Sequence, residues 1–448
     1  MIPAADTIAA IATPTGRGGV GIVRVSGPAC GKIARSISST DITPRRATYS
    51  PFLAVDGSVI DRGIVLYFSA PASYTGEDVL ELQGHGGPVV THMVLRRVLE
   101  LGARPARPGE FTERAFLNGK LDLLQAEAVA DLIDSHSERA ARYAVRAMEG
   151  DYSRRITSLQ EGLTALRVVV EATLDFPEEE LDLSGRRQLQ TNANNWLEQL
   201  QQVLAAARAG HVLRSGLRVV IAGAPNVGKS SLLNRLLGSD RAIVDATPGT
   251  TRDTIESEMA VAGIRLTIID TAGVRASADG VEQEGVRRSL LALQQADLIL
   301  MVSDYAGERA PAELLAQLPG AIRRIWVRNK IDLLGMAPAM QARADGWEVA
   351  LCAKDGSGLD LLLQVLEMAA AGSSGPEDVL LARTRHLHAL EQASAAVAQA
   401  AQVAGQGGAL ELAAEELRLA QTALGRITGT VSADDLLGEI FSRFCIGK

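Results

Sequence analysis

The sequence predicts a chain of mixed class: an N-terminal α/β domain, a helical bundle split in two along the chain, and a doubly wound α/β domain with a mostly parallel sheet inserted into that bundle. Three observations carry this prediction. Residues 1–118 hold strand-like runs punctuated by Gly and Pro. Residues 119–214 and 373–448 show helical periodicity with few strand signals. Between them, over 215–372, short apolar runs alternate with helical segments, the pattern of a parallel sheet.

Taken in order, IVRVSG (22–27) and DRGIVLYF (61–68) have the β-branched and aromatic content of strands. PVVTHMVLRRVLELGA, from Pro88, places apolar residues three and four apart and predicts a helix stopping near Gly102. From about Lys120 long helices follow, interrupted at PEEELDLSG (177–185). RVVIAG, RLTIID, ADLILMVSD, RRIWVRN and WEVALCA read as the strands of the inserted domain. GSSGPED (372–378) is a linker by composition, and helical periodicity resumes at Val379. The two helical stretches are expected to pack together, since an insertion requires its ends to lie close.

Composition narrows the classes. The chain has 448 residues, 47% of them hydrophobic and 22% charged, long enough for several cores. No run of about 18 uncharged apolar residues marks a membrane span, and the start lacks the pattern of a secretory or transit signal. Three cysteines, Cys30, Cys352 and Cys445, form no CxxC pair, which points to a reducing, cytoplasmic setting. A net charge of −8 argues against coating nucleic acid by bulk electrostatics, though a local basic patch could hold RNA.

The chemistry is concentrated in the inserted domain. GAPNVGKSS fits GxxxxGK[ST] through Gly223, Gly228, Lys229 and Ser230, between a strand and a helix. Such a loop turns backbone N–H groups around phosphate oxygens. Lys229 would reach the β- and γ-phosphates, and the Ser230 hydroxyl would bind Mg²⁺. NKID, Asn329 to Asp332, follows a strand, and the Asp332 carboxylate can accept from N1–H and the 2-amino group of guanine, a donor pair adenine lacks. CAK, Cys352 to Lys354, fits the usual SAK loop beside the base with Cys for Ser. Because that loop is read as offering its backbone N–H, the exchange is expected to be tolerated. DTAG, Asp270 to Gly273, would reach the Mg²⁺ sphere and the γ-phosphate, and Thr251 in TPGTTRD is the candidate second Mg²⁺ ligand.

The predicted GTP contacts are Asn226, Val227, Gly228, Lys229, Ser230 and Ser231; Asp245, Thr247, Gly249, Thr250 and Thr251; Asp270, Thr271, Ala272 and Gly273; and Asn329, Lys330, Asp332 and Ala353. The set predicts a Ras-like P-loop GTPase domain.

Val274 occupies the place after DTAG where many small GTPases carry a water-orienting glutamine. Another arrangement must serve. Asn226 could help coordinate a monovalent cation beside the phosphates, offsetting transition-state charge; it could equally cap the loop. Glu282 could orient the attacking water, or lie on a solvated helix face.

The arrangement resembles the MnmE (TrmE) family of tRNA-modification GTPases over essentially the whole chain. The resemblance rests on DTIAAIATPTGRGGVGIVRVSG near the start, YTGEDVLELQGHGGP (74–88), RPGEFTERAFLNGKLDLLQAEAVADLI (107–133), the inserted GTTRD, DTAG and NKID motifs, and the terminal FCIGK. It implies a homodimer formed through the N-terminal domain, which binds a tetrahydrofolate derivative (5-formyl or 5,10-methylene) as one-carbon donor. It implies an FAD-containing partner, MnmG (GidA), with FAD on that partner, and aminomethyl or carboxymethylaminomethyl addition at C5 of the wobble uridine of certain tRNAs. K⁺-dependent GTP hydrolysis is implied as well, with Asn226, Thr250 and carbonyls near Asp245 and Thr247 as K⁺ ligands, and Glu282 beside Lys229 as catalytic. Arg24, Glu81, Lys120 and Lys448 match folate-contacting positions, and Cys445 matches the tail cysteine, a candidate in the modification chemistry. Pro248 departs from the family's frequent alanine in the switch loop.

Weaker signals are set aside on context. Gly16, Gly18 and Gly21 satisfy GxGxxG, but a strand follows where a Rossmann fold needs a helix. His85 reads as a turn residue in GHGG. Arg139, Arg142, Arg146, Arg154 and Arg155 could form a stripe for tRNA, or a solvated face balanced by glutamates. The competing function is a GTP-dependent switch or ribosome assembly factor. Relatives of that kind usually append a basic RNA-binding module, whereas this C-terminal region is helical.

Overall fold

Alternation along the first strands sorts their side chains onto two faces, and that sorting builds the N-terminal sheet. The structure, a computed structural model, describes residues 6–175, 183–238, 256–261, 264–270, 293, 296–304, 322–371, 379–405, 410–430, 434–442, 444–445 and 447. The chain divides into two compact units: 1–134 with 144–200 and 388–448, and 135–143 with 201–387. The second unit is therefore inserted, in sequence, within the first.

In the first unit, β1 (Ile8–Ile11), β2 (Gly18–Ser26), β3 (Thr48–Leu53), β4 (Val59–Phe68), β5 (Val79–Gly86) and β6 (Arg104–Pro105) form one sheet in the order β3-β4-β5-β2-β1-β6. Its pairs are antiparallel except β1 with β6. Val23, Val25, Leu80, Leu82 and Val65 face α1 (Cys30–Ile37) and α2 (Pro88–Glu100) and are buried. Cys30, Ile33, Ala34 and Ile37 form the inward stripe of α1 at helical spacing. The other parity, including Ile22, Arg24, Glu81 and Gln83, points to the opposite face.

α3 (Glu110–Leu117) starts on Gly109, whose φ of +67° and close approach to the Phe441 carbonyl (2.5 Å from an added Cβ) exclude a side chain. α4 (Leu123–Ile133) opens with a capping box, in which the Asp122 carboxylate accepts from the Gln125 N–H (2.8 Å) and Gln125 Oε1 accepts from the Asp122 N–H (3.0 Å). Such caps stabilise a helix by about 1 kcal/mol.

α5 (Glu138–Met148), α6 (Asp151–Asp175) and α7 (Leu183–Ser215) follow. The inserted unit then contributes β7 (Leu217–Ala222), α8 (Lys229–Leu237), β8 (Glu256–Val261), β9 (Ile264–Asp270), β10 (Leu298–Asp304), β11 (Arg323–Asn329), β12 (Ala339–Arg343), β13 (Gly346–Ala350) and α9 (Leu359–Ala371). α10 (Thr384–Gly405), α11 (Leu410–Thr428) and α12 (Asp434–Ser442) complete the chain. Within the first unit, α11 packs along α6, and Gln421 bridges them by donating to the Thr164 hydroxyl (3.1 Å) and accepting from Arg167. Leu166, Val170, Leu189, Ala193, Val397 and Leu417 converge from four helices on a dry apolar centre, so the bundle is assembled from both sides of the insertion. α12 returns to α3 and α4 with Phe441 and Phe444 buried beside Phe116 and Leu123. Each such ring contributes roughly 2–3 kcal/mol by burial.

The inserted sheet runs β12-β13-β11-β10-β7-β9-β8. β13, β11, β10, β7 and β9 are parallel, and the edges β12 and β8 are antiparallel. This is the doubly wound class expected, with β7 at the point where successive strands pass to opposite sides. The helical reading from Val379 is corrected: 379–383 carry no regular secondary structure and α10 begins at Thr384. Val379 to Ala382 form a buried apolar run, and the Leu380 N–H donates to the Ala206 carbonyl of α7 (3.1 Å). Such a run has no periodicity of its own to distinguish strand from helix. Among the described residues, no helix is long and apolar enough to cross a membrane.

Candidate functional site

The carboxyl ends of β7, β9, β11 and β13 carry the nucleotide motifs. β7 leads into the loop 223–228, and α8 begins at Lys229 on a left-handed Gly228 (φ +96°). A Cβ at Gly223 would fall 2.1 Å from the Val302 carbonyl, and one at Gly228 would fall 2.2 Å from Asn329 Nδ2. Both glycines are therefore required by close packing as well as by backbone conformation. Asn226 is also left-handed (φ +62°) and exposed.

Lys229 is buried, and its ammonium donates to the carbonyls of Gly223 (3.0 Å) and Ala224 (2.7 Å). The loop's own oxygens thus hold the cation where it curls. Asn329 ends β11, opposite Asp304 of β10, and is also buried. Its Nδ2 donates to the Val227 carbonyl (2.8 Å), and its Oδ1 accepts from the Ala353 N–H (2.9 Å). One side chain therefore fastens the P-loop to the loop after β13. Lys330 is left-handed (φ +63°), with its ammonium 3.6 Å from Asp304 Oδ2. Asp332 opens outward on the turn of 3-10 helix Ile331–Leu334.

Cys352 is closed in: its N–H donates to Ser357 O, and its carbonyl accepts from the Gly356 N–H, both at 2.9 Å. Burial pushes its thiol upward, with the Asp332 carboxylate adding to the shift.

Asp270 closes β9 with its backbone beside Ile221 at the end of β7. Val227 is buried, whereas Ser230 and Ser231 are exposed in the first turn of α8. Asp245, Thr247, Gly249, Thr250, Thr251, Thr271, Ala272, Gly273, Glu282 and Lys448 lie outside the described residues.

A second cluster lies on the sheet face opposite α1 and α2. Arg24 and Glu81 are directly paired across β2 and β5, and Arg24 Nε donates to Glu81 Oε1 (3.0 Å). The guanidinium also donates to the Gly447 carbonyl (3.3 Å) and stands 5.7 and 5.9 Å from the ring centres of Tyr74 and Phe111. Gln83 donates to the other Glu81 oxygen (3.2 Å). Gly447 (φ +98°) is pressed against β1, where an added Cβ would fall 2.5 Å from the Ile11 carbonyl. The tail thus reaches Arg24 from 423 positions away. Cys445 is exposed, and its carbonyl accepts from the Gly109 N–H (3.4 Å). Lys120 engages the Pro71 carbonyl (3.1 Å) rather than Glu81.

Other residues of the chain make contacts the motifs did not flag. Asp6, Glu77, Arg104, Glu110 and Arg114 form one ion-pair network. Burial alone would raise the Glu110 carboxyl, but hydrogen bonds from Arg104 and the Arg107 N–H bring it down to about 2. His85 belongs to β5, not to a turn: its Nδ1 pairs with Asp61 (2.7 Å), whose second oxygen accepts the His85 N–H (2.8 Å). Gly18 and Gly21 lie in β2, which excludes the Rossmann reading on geometry. In the arginine stripe, Arg142 pairs with Glu138, and Arg146 and Arg154 pair with Asp151.

Comparison with known proteins extends over the same segments. The family described as "MnmE helical domain" matches residues 123–445, and "GTP-binding protein TrmE N-terminus" matches 7–120. The tRNA modification GTPase MnmE of Azoarcus sp. (strain BH72) is 53% identical over 446 residues, covering 99% of this chain and 98% of that protein. The proteins of that name from Thiobacillus denitrificans and Stutzerimonas stutzeri are 54% and 51% identical, and each spans 100% of this chain. Agreement of this extent, across both units and the terminal motif, places the chain in the MnmE family.

Proposed function

We propose that this chain is a GTPase acting in tRNA modification. The observation that carries the nucleotide part is the Asn329 bridge, which joins a phosphate-type loop to a base-type loop at the carboxyl ends of the parallel strands. The tRNA part rests on full-length similarity to proteins named tRNA modification GTPases.

In this reading the N–H groups of 226–231 cradle the phosphates, and Lys229 exchanges the Gly223 and Ala224 carbonyls for β- and γ-phosphate oxygens. Asp332, exposed after β11, accepts from guanine, and the Ala353 N–H lies beside the base. Ser230 and Thr251 would hold Mg²⁺, with Asp270 acting through water; the bound ion offsets charge on the phosphates. The exposed hydroxyl of Ser230 at the start of α8 fits that donor role. Asn226, with Asp245, Thr247 and Thr250, would hold K⁺, and its exposed side chain on a left-handed backbone leaves the amide oxygen accessible. Thr271, Ala272 and Gly273 would approach the γ-phosphate, and Glu282 would orient the attacking water.

The Arg24–Glu81 pair, walled by Tyr74 and Phe111 and reached by the tail, suits a tetrahydrofolate derivative. A carboxylate accepts from a pterin edge, a guanidinium pairs with anionic or formyl oxygen, and ring faces stack. Lys448 would join from the tail and Lys120 from the neighbouring loop, with Cys445 beside them. Homodimerisation through the N-terminal domain, an FAD-bearing MnmG-type partner and a cytoplasmic location complete the proposal.

GTP turnover measured in K⁺ and in Na⁺ tests the hydrolytic core. Turnover should depend on K⁺ and collapse in Glu282→Ala with GTP affinity retained. Equal rates in both salts would refute the cation arrangement, and lost binding in the variant would make Glu282 structural.

A further inference from the structure

The geometry points to Arg235 as a positioning residue for the guanine loop, an inference that rests on reading this site as one for guanine nucleotide. Arg235 lies in the last turn of α8, the helix whose first residue is Lys229. Its Nε donates to the Ala353 carbonyl (3.5 Å), and its Nη2 donates to the Lys354 carbonyl. The side chain passes directly beside the loop backbone, since an added Cβ at Gly356 (φ +92°) would lie 3.7 Å from both Cδ and Nε.

Ala353 is consequently held from two sides. Asn329 takes its N–H, and Arg235 takes its carbonyl. A trans peptide points its N–H opposite to its C=O, so fixing two successive carbonyls on the Arg235 side turns the N–H groups of Lys354 and Asp355 away from it. Arg235 thus sets the backbone of the loop that, in this reading, lies beside the base. One helix spans both halves of the ligand: its first turn serves the phosphates, and its last turn sets the base loop.

A simpler role is available, because a cation in the last helical turn stabilises the helix dipole whatever it touches. The two roles separate by ligand. Arg235→Ala, Arg235→Gln and Arg235→Lys would be compared with the full-length wild type for binding of GDP and of inorganic tripolyphosphate, which fills the phosphate loop without a base. Arg235→Ala should weaken GDP about tenfold, the loss of one charge-assisted hydrogen bond, chiefly through faster dissociation, and leave tripolyphosphate unchanged. Arg235→Gln, neutral but a donor, should recover part of the loss, and Arg235→Lys should not restore it fully. Equal weakening of GDP and tripolyphosphate, full rescue by Lys with none by Gln, or unchanged GDP binding would each overturn the proposal. Wild type that binds tripolyphosphate but not GDP would instead overturn the guanine reading, and this proposal with it.

Discussion

Replacing Asn329 by Ala removes a side chain that ties the P-loop to the base loop, and its cost can be worked from the structure. Two hydrogen bonds of 2.8 and 2.9 Å disappear. Their partners, the Val227 carbonyl and the Ala353 N–H, belong to residues only 1% and 4% exposed, so neither regains water freely. Each stranded group costs about 1–3 kcal/mol. Room vacated beside Gly228 lets some water in, so a total near the lower half of that range, about 2–4 kcal/mol, is expected. For a domain of this size 1 kcal/mol moves Tm by about 2–4 °C. The assay is calorimetry of the full chain, following the transition that GDP shifts upward and that therefore belongs to the nucleotide unit. Without nucleotide that transition should fall by roughly 4–16 °C in Asn329→Ala, and GDP should no longer raise it as far. A midpoint within about 1 °C of wild type, with the GDP shift intact, would refute the bridging role.

Two further outcomes follow from the first unit. Glu110 has its carboxyl held at about 2 against an ordinary 4.5, so its ion pairs contribute stability at and above pH 4.5 that is lost as pH falls toward 2. Glu110→Gln should therefore cost at most about 3 kcal/mol near pH 7 and progressively less in acid, as read from urea midpoints; a difference independent of pH would contradict it. Gly447→Ala forces a Cβ to within 2.5 Å of the Ile11 carbonyl at φ +98°, so the tail should detach from β1. Faster carboxypeptidase trimming of the variant, with GDP binding unchanged, is the expected result, and unchanged trimming would contradict the docking.

Legibility tracked how local each interaction is. The P-loop strand, NKID and the long helices are written within a few residues of themselves, so motif spacing and periodicity found them. β12 escaped because AMQAR is a polar edge, although Asp345–Gly346 is a hairpin-type signal at the entry to β13. The Arg24–Glu81 pair joins strands 57 positions apart, and Gly447 comes from 423 positions away, distances no spacing rule covers. Family resemblance flagged those positions; the register of β2 with β5 explains why they meet. His85 misled because its glycine neighbours look like a turn, whereas in β5 Gly84 makes room for Asp61 (2.4 Å from an added Cβ). Arg235 carried no motif weight, because what it does depends on loop carbonyls brought close only by folding.

The most direct test of the central claim is mass spectrometry of tRNA nucleosides from cells lacking this chain, compared with cells in which wild type or Asn329→Ala is restored. The account predicts that aminomethyl-type C5 modifications of the wobble uridine vanish in the deletion, return with wild type and fail to return with the variant. Modifications that persist unchanged without the chain would contradict a role in tRNA modification and leave only the nucleotide site standing.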